Sequence, residues 1–513
     1  MRFPYSWLKE LTNTTLSAQE AAERLTMLGL EVESLVETKP AFKGVVVGKV
    51  LDAKKIEGSG HLKVCKVTTG DQELQIVCGA PNVEMGQKVP VAVVGAELAG
   101  GLKIKNAKLR GVTSQGMICS EAELGLSADA SGIMVLNGNF SIGMNFEQAL
   151  AIQEETIIEL AITPNRPDCL GMYGIARELC VSQGKSFSPP NPSVEISVNS
   201  NEAYPIEIQD VDACPRYTGR IIRNVEIGKS PDWLIKRLHQ AGARSINNIV
   251  DITNYVMLTT GQPLHAFDLD KLQHGVIRIR NAEKGELFTT LDEKEHKLTD
   301  ANLLICDGSL PVALAGVMGG ENSEVDSNTK NILLESAYFS PYSVRKTAKQ
   351  LGISTEASKR FEKGVDPNGC GLASDTATEL ICKNANGEAT SQLLDEYPEK
   401  IKKQTFHFRP SRANLIIGEQ VPVETNTSIL TNLGCEVRVN NDNWDVTVPT
   451  YRPDLIREID LIEEVARVYG YNNVAPTTAN TIHLLTTKDP EIDFTEKLKA
   501  IAVQATLSEV VTL

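Results

Sequence analysis

A short pattern occurs twice in this chain of 513 residues, in the same order, and it limits the possible folds more than any other feature. Residues 16–32 (LSAQEAAERLTMLGLEV) are similar to residues 421–437 (VPVETNTSILTNLGCEV). Residues 162–168 (ITPNRPD) are similar to residues 448–454 (VPTYRPD). Because two matches in a fixed order are typical of a repeated structural unit, we predict two copies of one small fold.

Each copy is predicted to contain a helix, then a strand, then a second helix. The first helix of the first copy begins with a capping box formed by Ser17 and Glu20. The matching helices stop at Gly29 and Gly434, because glycine tolerates the left-handed conformation just beyond a helix end. A Glu-Val pair then opens a strand. In each Arg-Pro-Asp motif the aspartate is predicted to cap the helix that follows.

The two copies differ in what separates their motifs. Only 14 residues, 438–451, lie between the motifs of the second copy, whereas 133 residues, 33–165, lie between those of the first. A domain of roughly 110 residues is therefore predicted to be inserted near residues 40–150. Its apolar segments, separated by glycines, are typical of a small β-barrel, and they are 42–53, 62–70, 74–80, 88–95 and 104–112.

Composition excludes several classes of protein. The net charge of −15 argues against non-specific binding of nucleic acid over the whole surface, although it allows a local basic patch. No stretch reaches the roughly 18 apolar residues of a membrane helix, and the first residues lack the pattern of a signal peptide. The 10 cysteines occur singly, which favours a reducing cytoplasm over a disulfide framework or zinc ribbon.

Seven segments together resemble the β subunits of bacterial phenylalanine–tRNA ligases: residues 76–83, 108–126, 162–171, 251–268, 333–341, 358–367 and 461–473. The resemblance runs along the whole chain and implies an α+β multidomain protein. The implied parts are a small helical, winged-helix-like domain (1–39 with 151–200), an OB-fold tRNA-binding barrel (40–150), a mixed α/β editing domain of B3/B4 type (201–398), a B5-type second copy of the small domain (400–476) and the start of a truncated catalytic-like domain (477–513).

The resemblance also implies a function. The chain would bind tRNA(Phe), assemble with an α subunit into an α2β2 heterotetramer, and hydrolyse tyrosine that has been attached to tRNA(Phe) in error. The α subunit would carry out the ATP-dependent aminoacylation, because no ATP site is evident here. The alternative is a non-catalytic tRNA-binding and assembly module whose editing pocket is unused. The presence of His265 and Glu335 favours the enzyme.

Editing has a clear physical basis. An apolar pocket rejects an isostere with one added hydroxyl by only about 10², whereas a site that hydrogen-bonds the hydroxyl discriminates by about 10⁴–10⁵. Glu335 lies in an apolar segment and is suited to accept a hydrogen bond from a phenol. The residues alone also allow a structural histidine at 265 and pairing of Glu335 with Arg345 or Arg360.

The resemblance places six residues in the editing pocket, and these are Asn254, His265, Gly316, Glu335, Thr355 and Ala357. Ala357 would act through its small size, since a bulky side chain would fill the cavity. No general base is assigned. An oriented water would suffice if backbone N–H groups between Gly316 and Gly320 stabilise the developing oxyanion.

Four carboxylates crowd the last helix of the second copy, and these are Asp454, Asp460, Glu463 and Glu464. A helix of about 3.6 residues per turn brings the last three toward one face. From the residues alone, this face either is solvated and paired with Arg457 and Arg467 or binds Mg²⁺. The resemblance implies Mg²⁺, near the contact with the α subunit. In the first copy, Gly174 and Arg177 replace two of the carboxylates, so we expect metal only in the second copy.

A basic cluster occupies the later part of the predicted barrel, and it consists of Lys103, Lys105, Lys108 and Arg110. Such a run is often only a solvated face, but here it reverses the charge of the chain locally. We expect it to contact tRNA phosphates without reading sequence. The related family usually carries His-Pro-Asn-Ala-Asp-Lys before the second strand of the barrel, whereas this chain has IEGSGH at residues 56–61.

Overall fold

Short strands and helices alternate along the chain in the computed structural model, which describes residues 1–38, 41–56, 59, 61–126, 130–149, 155–196, 202–476 and 489–511. The strands are β1 (Arg2–Pro4), β2 (Glu31–Thr38), β3 (Lys43–Lys55), β4 (Lys63–Thr68), β5 (Glu73–Cys78), β6 (Lys88–Glu97), β7 (Ala107–Leu109), β8 (Val112–Ser114), β9 (Gly116–Ile118), β10 (Glu155–Ala161), β11 (Ile206–Ile208), β12 (Arg216–Arg223), β13 (Leu264–Asp268), β14 (Ile277–Asn281), β15 (Leu287–Thr289), β16 (Glu295–Lys297), β17 (Leu303–Asp307), β18 (Leu310–Leu314), β19 (Met318–Gly319), β20 (Ile332–Tyr338), β21 (Glu388–Ala389), β22 (Leu394–Glu396), β23 (Thr405–Phe408), β24 (Glu436–Arg438) and β25 (Trp444–Thr447).

The helices are α1 (Tyr5–Thr12), α2 (Ala18–Met27), α3 (Phe146–Ala149), α4 (Met172–Val181), α5 (Asp232–Gln240), α6 (Asn248–Thr260), α7 (Pro341–Leu351), α8 (Glu356–Phe361), α9 (Cys370–Asn384), α10 (Pro410–Ile417), α11 (Val423–Asn432), α12 (Glu458–Tyr469) and α13 (Pro490–Gln504).

The two repeat copies share one topology. The sheet order is β1-β10-β2 in the first copy and β23-β25-β24 in the second, so in each the third strand lies in the middle. Two helices separate the first two strands of each copy, and one helix follows the third strand. Each copy therefore contains an antiparallel sheet as well as the expected helices.

The long insertion leaves and re-enters the first copy at adjacent points. Thr38 at the end of β2 is paired with Glu155 at the start of β10. In the second copy, a short turn at residues 439–443 joins the matching strands β24 and β25. Since the chain ends of the insertion meet across one strand pair, the extra domain does not change the topology of the copy.

The predicted helix ends of both copies are confirmed. Ser17 and Glu20 form the reciprocal capping box. Gly29 and Gly434 have φ of 88° and 94°, in the left-handed region. The predicted role of the aspartate in the Arg-Pro-Asp motif is wrong, because neither α4 nor α12 is capped by it. The carboxylate instead binds the arginine of its own motif.

Each Arg-Pro-Asp motif closes on itself through a two-point ion pair. Nε and Nη2 of Arg166 donate to the two carboxylate oxygens of Asp168 at 3.0 and 2.9 Å. Arg452 binds Asp454 in the same way at 2.9 and 2.8 Å. The planar guanidinium matches a carboxylate at two points, which makes this pairing stronger than a neutral hydrogen bond.

A buried charge network joins the two copies. The motif arginine of each copy also bonds a glutamate of the following helix, Arg166 to Glu178 and Arg452 to Glu464, both at 2.5 Å. Arg467 of the second copy then donates to Glu178 at 2.6 Å and to Glu464 at 2.5 Å. We call these residues, with Asp168 and Asp454, the inter-copy network. Burial alone would raise the pKa of both glutamates, but the charge of Arg467 holds it below its ordinary value.

The inserted domain is a five-stranded antiparallel sheet in the order β5-β4-β3-β6-β9. The outer strand β5 also bonds the two residues just before β9, since the Gln115 N–H donates to the Gln75 carbonyl at 2.8 Å and the Val77 N–H to Ser114 Oγ at 3.0 Å. The strand predicted at 104–112 is wrong. That segment turns at Arg110, where φ is 48°, and forms the separate β7–β8 hairpin, because its charged residues leave no continuous apolar face.

The region between the insertion and the second copy contains two larger sheets. Their orders are β11-β14-β17-β18-β19 and β13-β20-β12-β21, with β22 also paired to β12. Both sheets contribute to one apolar core, for example Ile305 from the first and Tyr217 and Phe267 from the second. The predicted multidomain protein of mixed helices and sheets is confirmed at this level.

The last described segment contains α13, none of whose residues is buried. The predicted catalytic-like segment 477–513 is described only from 489 to 511, and residues 477–488 lie outside the described part. Across the described ranges, no helix has both the length and the apolar character needed to cross a membrane.

Removing the shared arginine should destabilise the pair of copies strongly. Arg467→Ala leaves two buried glutamates without their common partner, and we expect it to lower the free energy of unfolding by about 3–5 kcal/mol. Arg457→Ala is the matched control, because the Arg457 side chain is 69% exposed and, among the described residues, its one ion pair is with Asp460 at 3.3 Å. Its cost should be about 0–1 kcal/mol. Urea unfolding followed by tryptophan fluorescence measures both, and equal losses would contradict the role of the network.

Candidate functional site

A cavity of about 490 Å³ opens between the two larger sheets and the start of α8. All six residues predicted for the editing pocket line it. They come from α6 (Asn254), β13 (His265), the β18–β19 turn (Gly316), β20 (Glu335) and the start of α8 (Thr355 and Ala357). Most of the remaining wall is apolar, including Leu291, Ile305, Leu314, Val317, Met318 and Phe361.

The polar end of the cavity is set by strand register. His265 of β13 and Glu335 of β20 are direct partners in the antiparallel pair. Tyr217 of the neighbouring strand β12 donates its hydroxyl to Glu335 Oε2 at 3.2 Å. Gly219 stands opposite Glu335 on that strand and contributes no side chain. Three neighbouring strands therefore hold three polar groups at one end of a largely apolar space.

The alternative in which Glu335 pairs with an arginine is wrong. Arg360 binds Glu356 at 2.9 Å and the carbonyl of Leu170 at 3.3 Å. Within the described residues, Tyr217 is the one hydrogen-bond donor to Glu335. Glu335 is 6% exposed, and no lysine or arginine in the described part of the chain forms an ion pair with it.

Burial tunes both titratable groups toward their neutral forms. It raises the pKa of Glu335 to about 8, an effect that the Tyr217 hydrogen bond opposes in part. It lowers the pKa of His265 to about 4. At pH 7 the carboxyl is therefore mostly protonated and the imidazole is neutral. Among the described residues, His265 Nε2 is buried and has no hydrogen-bond partner, although its ring packs edge-on against Phe267.

Backbone geometry keeps the opposite wall close. Gly316 has φ of 68°, and a Cβ there would lie 2.9–3.1 Å from side chains of Val344, Phe339 and Phe361. A Cβ on Gly319 would lie 2.8 Å from Nε2 of His265. These glycines therefore allow the loop to approach the histidine and the core.

The expected oxyanion donors are only partly available. The Val317 N–H donates to the Leu314 carbonyl at 3.0 Å, and the Gly320 N–H donates to the Val312 carbonyl at 2.8 Å. Thr355 caps α8 and donates its hydroxyl to the Val317 carbonyl at 2.9 Å. The N–H groups of Val317 and Gly320 thus bond other parts of the fold and are not directed at a bound ester.

Three polar residues of the site were not predicted from the sequence, and these are Tyr217, Asp292 and Glu356. Tyr217 lies in a strand with no motif, and only the three-dimensional register brings it to Glu335. Glu356 lines the cavity, where burial would raise its pKa but hydrogen bonds from Arg360 and Lys359 hold the pKa at about 2. It therefore remains a charged carboxylate in the lining of the cavity that also contains the neutral Glu335.

The four carboxylates of the second copy, where Mg²⁺ is predicted, differ in their partners and exposure. Both oxygens of Asp454 accept hydrogen bonds from Arg452, and Glu464 is held by Arg452 and Arg467. Glu463 points to solvent while Glu464 is buried, because consecutive helical residues lie about 100° apart. Within the described ranges, no group of three or more acidic, histidine or cysteine side chains could hold a metal ion. The four carboxylates are not gathered at one point here, and the Mg²⁺ site on them stays a prediction.

The basic cluster of the inserted domain lies on its surface. Lys103, Lys105, Lys108 and Arg110 are all exposed, in the loop after β6 and in the β7–β8 hairpin. Lys103 approaches Glu97 at 3.5 Å. The other three cations have no ion pair within the described part of the chain. Of the altered segment 56–61, residues 57, 58 and 60 lie outside the description.

The comparisons with known proteins agree with this arrangement of parts. Three family models match: a putative tRNA binding domain at residues 45–145, a B3/4 domain at 213–386 and a tRNA synthetase B5 domain at 406–471. The cavity lies in the B3/4 match, and the basic cluster lies in the tRNA-binding match. Together these models define a component of an aminoacyl-tRNA synthetase.

The curated relatives narrow the class to one family. The phenylalanine–tRNA ligase β subunit of Geobacter sulfurreducens is 46% identical over 92% of this chain and 59% of its own length. That of Geobacter metallireducens is 44% identical over 99% of this chain and 64% of its own length. The chain belongs to the family of phenylalanine–tRNA ligase β subunits. It spans about three fifths of the length of these relatives.

A solved N-terminal fragment of the phenylalanyl-tRNA synthetase β-subunit from Pyrococcus horikoshii covers 92% of this chain and 99% of its own. The two are 12% identical, and the TM-score of 0.40 is too low to establish a shared overall arrangement.

Replacing the buried acid should change how stability depends on pH. The pKa of Glu335 is about 8 in the folded chain and 4.5 ordinarily, so its stabilising contribution is complete below about pH 4.5 and disappears as pH rises toward 8. Glu335→Gln removes this dependence. We expect the variant to gain stability relative to wild type between pH 5 and 8, on the order of a few kcal/mol. Urea unfolding at both pH values measures this, and a constant difference would show that the carboxyl titrates normally.

Proposed function

We propose that this chain supplies tRNA binding, assembly and hydrolytic editing to a phenylalanine–tRNA ligase. Editing would remove tyrosine attached in error to tRNA(Phe), while an α partner carries out the ATP-dependent aminoacylation. The observation that supports editing best is the buried, uncharged Glu335 at the end of an apolar cavity, in contact with Tyr217. A cavity of this size is typical of small-molecule sites.

The polar end of the cavity offers a means to select tyrosine. The Tyr217 hydrogen bond uses Glu335 Oε2, and within the described residues no group donates to Oε1. A protonated carboxyl can both donate to a phenol oxygen and accept from a phenol hydroxyl. Phenylalanine would leave this buried group unpaired, which costs about 1–3 kcal/mol and favours tyrosine.

Hydrolysis of the ester needs a water at the carbonyl carbon. The water oxygen forms a bond to that carbon, the bond from the carbon to the ribose oxygen breaks, and a proton of the water passes to the ribose oxygen. Neutral His265, with its unpartnered Nε2, is suited to orient the water or the ribose by hydrogen bonding. Its low pKa makes it a weak base, so we assign it a positioning role.

Assembly with an α partner would use the exposed apolar side chains of the second copy, and these are Leu415, Ile416, Val423, Val439, Ile456, Ile459 and Tyr471. A concentration of such residues on one small domain is typical of an interaction surface. Mg²⁺ in the assembled α2β2 enzyme would accompany the phosphates of ATP on the α partner. No step of editing depends on it.

Substitutions at the polar end should slow editing. In His265→Ala or Glu335→Ala, we expect kcat/KM for deacylation of tyrosyl-tRNA(Phe) to fall roughly tenfold to hundredfold, the value of one buried hydrogen bond. The matched control is His296→Ala, because the buried Nε2 of His296 also has no partner among the described residues but lies outside the cavity lining. Release of labelled tyrosine measures the rates. Unchanged rates in both cavity variants would leave the non-catalytic module as the better account.

The basic cluster should contribute to tRNA affinity without sequence preference. The double variant Lys105→Glu/Lys108→Glu should weaken tRNA binding and flatten its dependence on salt, with the log–log slope reduced by about 0.9 for each lost phosphate contact. The control double variant, Lys185→Glu/Lys284→Glu, makes the same charge change at exposed positions elsewhere. Filter binding over a range of KCl concentrations tests this, and equal slopes in both variants would remove the barrel from tRNA binding.

A further inference from the structure

A groove rich in cations lies beside the editing cavity, on the other side of α8. Its volume is about 630 Å³, and its lining includes Arg345 and Lys349 of α7, Lys359 of α8 and Lys363 just beyond it. Among the described residues that line it, Glu362 alone is acidic. We call this surface the α7–α8 groove. The groove is therefore positively charged, although the whole chain carries a net charge of −15.

The cations of the groove are largely uncompensated. Lys359 approaches Glu356 at 2.9 Å, in an exposed pair of the kind that contributes about 0–1 kcal/mol. Arg345, Lys349 and Lys363 have no ion pair within the described ranges. A solvated helix face usually intersperses charges of both signs, whereas these cations converge from three segments on one concave surface. Such an arrangement focuses positive potential in the groove.

The groove and the cavity share a wall. Ala357 and Phe361 of α8 line the cavity, whereas Ser358 and Glu362 of the same helix line the groove. Just before α8, Ser354 lines the groove and the next residue, Thr355, lines the cavity. A flexible chain in the groove would therefore have to cross only these two residues for its end to enter the cavity.

We propose that the α7–α8 groove binds the phosphates of the unpaired 3′ strand of an aminoacylated tRNA and directs its terminal ester into the cavity. This inference rests on the proposed editing function and identifies where the substrate's single strand lies. Lysine and arginine in a groove track a nucleic acid backbone without reading bases. Pro164 of the first copy lines the groove as well, so the groove lies where the first copy meets the editing region.

The test compares charge reversals inside and outside the groove in the full chain. Lys349→Glu/Lys363→Glu reverses two groove cations. Lys346→Glu/Lys284→Glu is the control, because Lys346 is exposed on the same helix as Lys349 but does not line the groove. The probe is a fluorescent RNA hairpin with four unpaired 3′ nucleotides, and a blunt-ended hairpin of the same stem is the reference.

For the groove variant we expect the Kd of the tailed hairpin to rise about tenfold or more. The slope of log Kd against log salt should fall by about 1.4, which corresponds to two single-strand contacts at about 0.7 each. The control variant and the blunt hairpin should show little change. An unchanged Kd, an equal loss in the control variant, or an equal loss with the blunt hairpin would overturn the proposal. Displacement of the RNA by polyglutamate as readily as by single-stranded RNA of equal charge would also overturn it.

A second substrate separates this proposal from the editing function. Tyrosyl-adenosine carries the ester but no phosphates, so the groove variant should hydrolyse it at the wild-type rate while KM for tyrosyl-tRNA rises. If KM for tyrosyl-tRNA stays at the wild-type value, the groove proposal fails and editing stands. If wild type hydrolyses neither ester, the editing function fails, and with it the groove's assigned role.

Discussion

The arrangement of this chain depends on one buried arginine shared between two glutamates. Arg467 lies at 2.6 Å from Glu178 and at 2.5 Å from Glu464, and these glutamates occupy matching positions in the two repeat copies. Each glutamate is also bound by the arginine of its own Arg-Pro-Asp motif. Burying so many charges is costly, and the interaction is favourable only in a geometry that satisfies all of them. We infer that the network fixes how the copies pack more than it adds to net stability.

Both copies in turn contact the B3/4 domain. Arg360 donates to the Leu170 carbonyl of the first copy at 3.3 Å. Asn368 donates to Thr450 of the second copy at 3.0 Å. Arg177 of the first copy stacks on the ring of Tyr451 of the second at 3.8 Å from its centroid. The cavity and the α7–α8 groove therefore lie on a region fixed to both copies.

Sequence reasoning predicted the parts of the fold that depend on local chemistry. The capping box at Ser17 and the glycines that end α2 and α11 act within a few residues, so their outcome can be inferred from the chain itself. The cavity lining was predicted through resemblance, because His265 and Glu335 are separated in sequence and meet only through strand register.

The parts that were missed depend on contacts between distant segments. A helical wheel brings Glu464 toward Asp460, but it does not show that Arg467 will bind a glutamate 289 residues earlier. That contact places Glu464 in the inter-copy network, which the helical wheel does not indicate. Tyr217 was missed for the same reason, since a tyrosine in an apolar strand carries no signal until its neighbour is known.

The central claim is that the cavity selects a phenol by hydrogen bonding and hydrolyses its ester. The most direct measurement is the ratio of initial deacylation rates for tyrosyl-tRNA(Phe) and phenylalanyl-tRNA(Phe) with the wild-type chain. The account predicts a ratio of about 10² or more in favour of tyrosine, because phenylalanine leaves Glu335 unpaired. Equal rates for the two esters, or no hydrolysis of either, would contradict it.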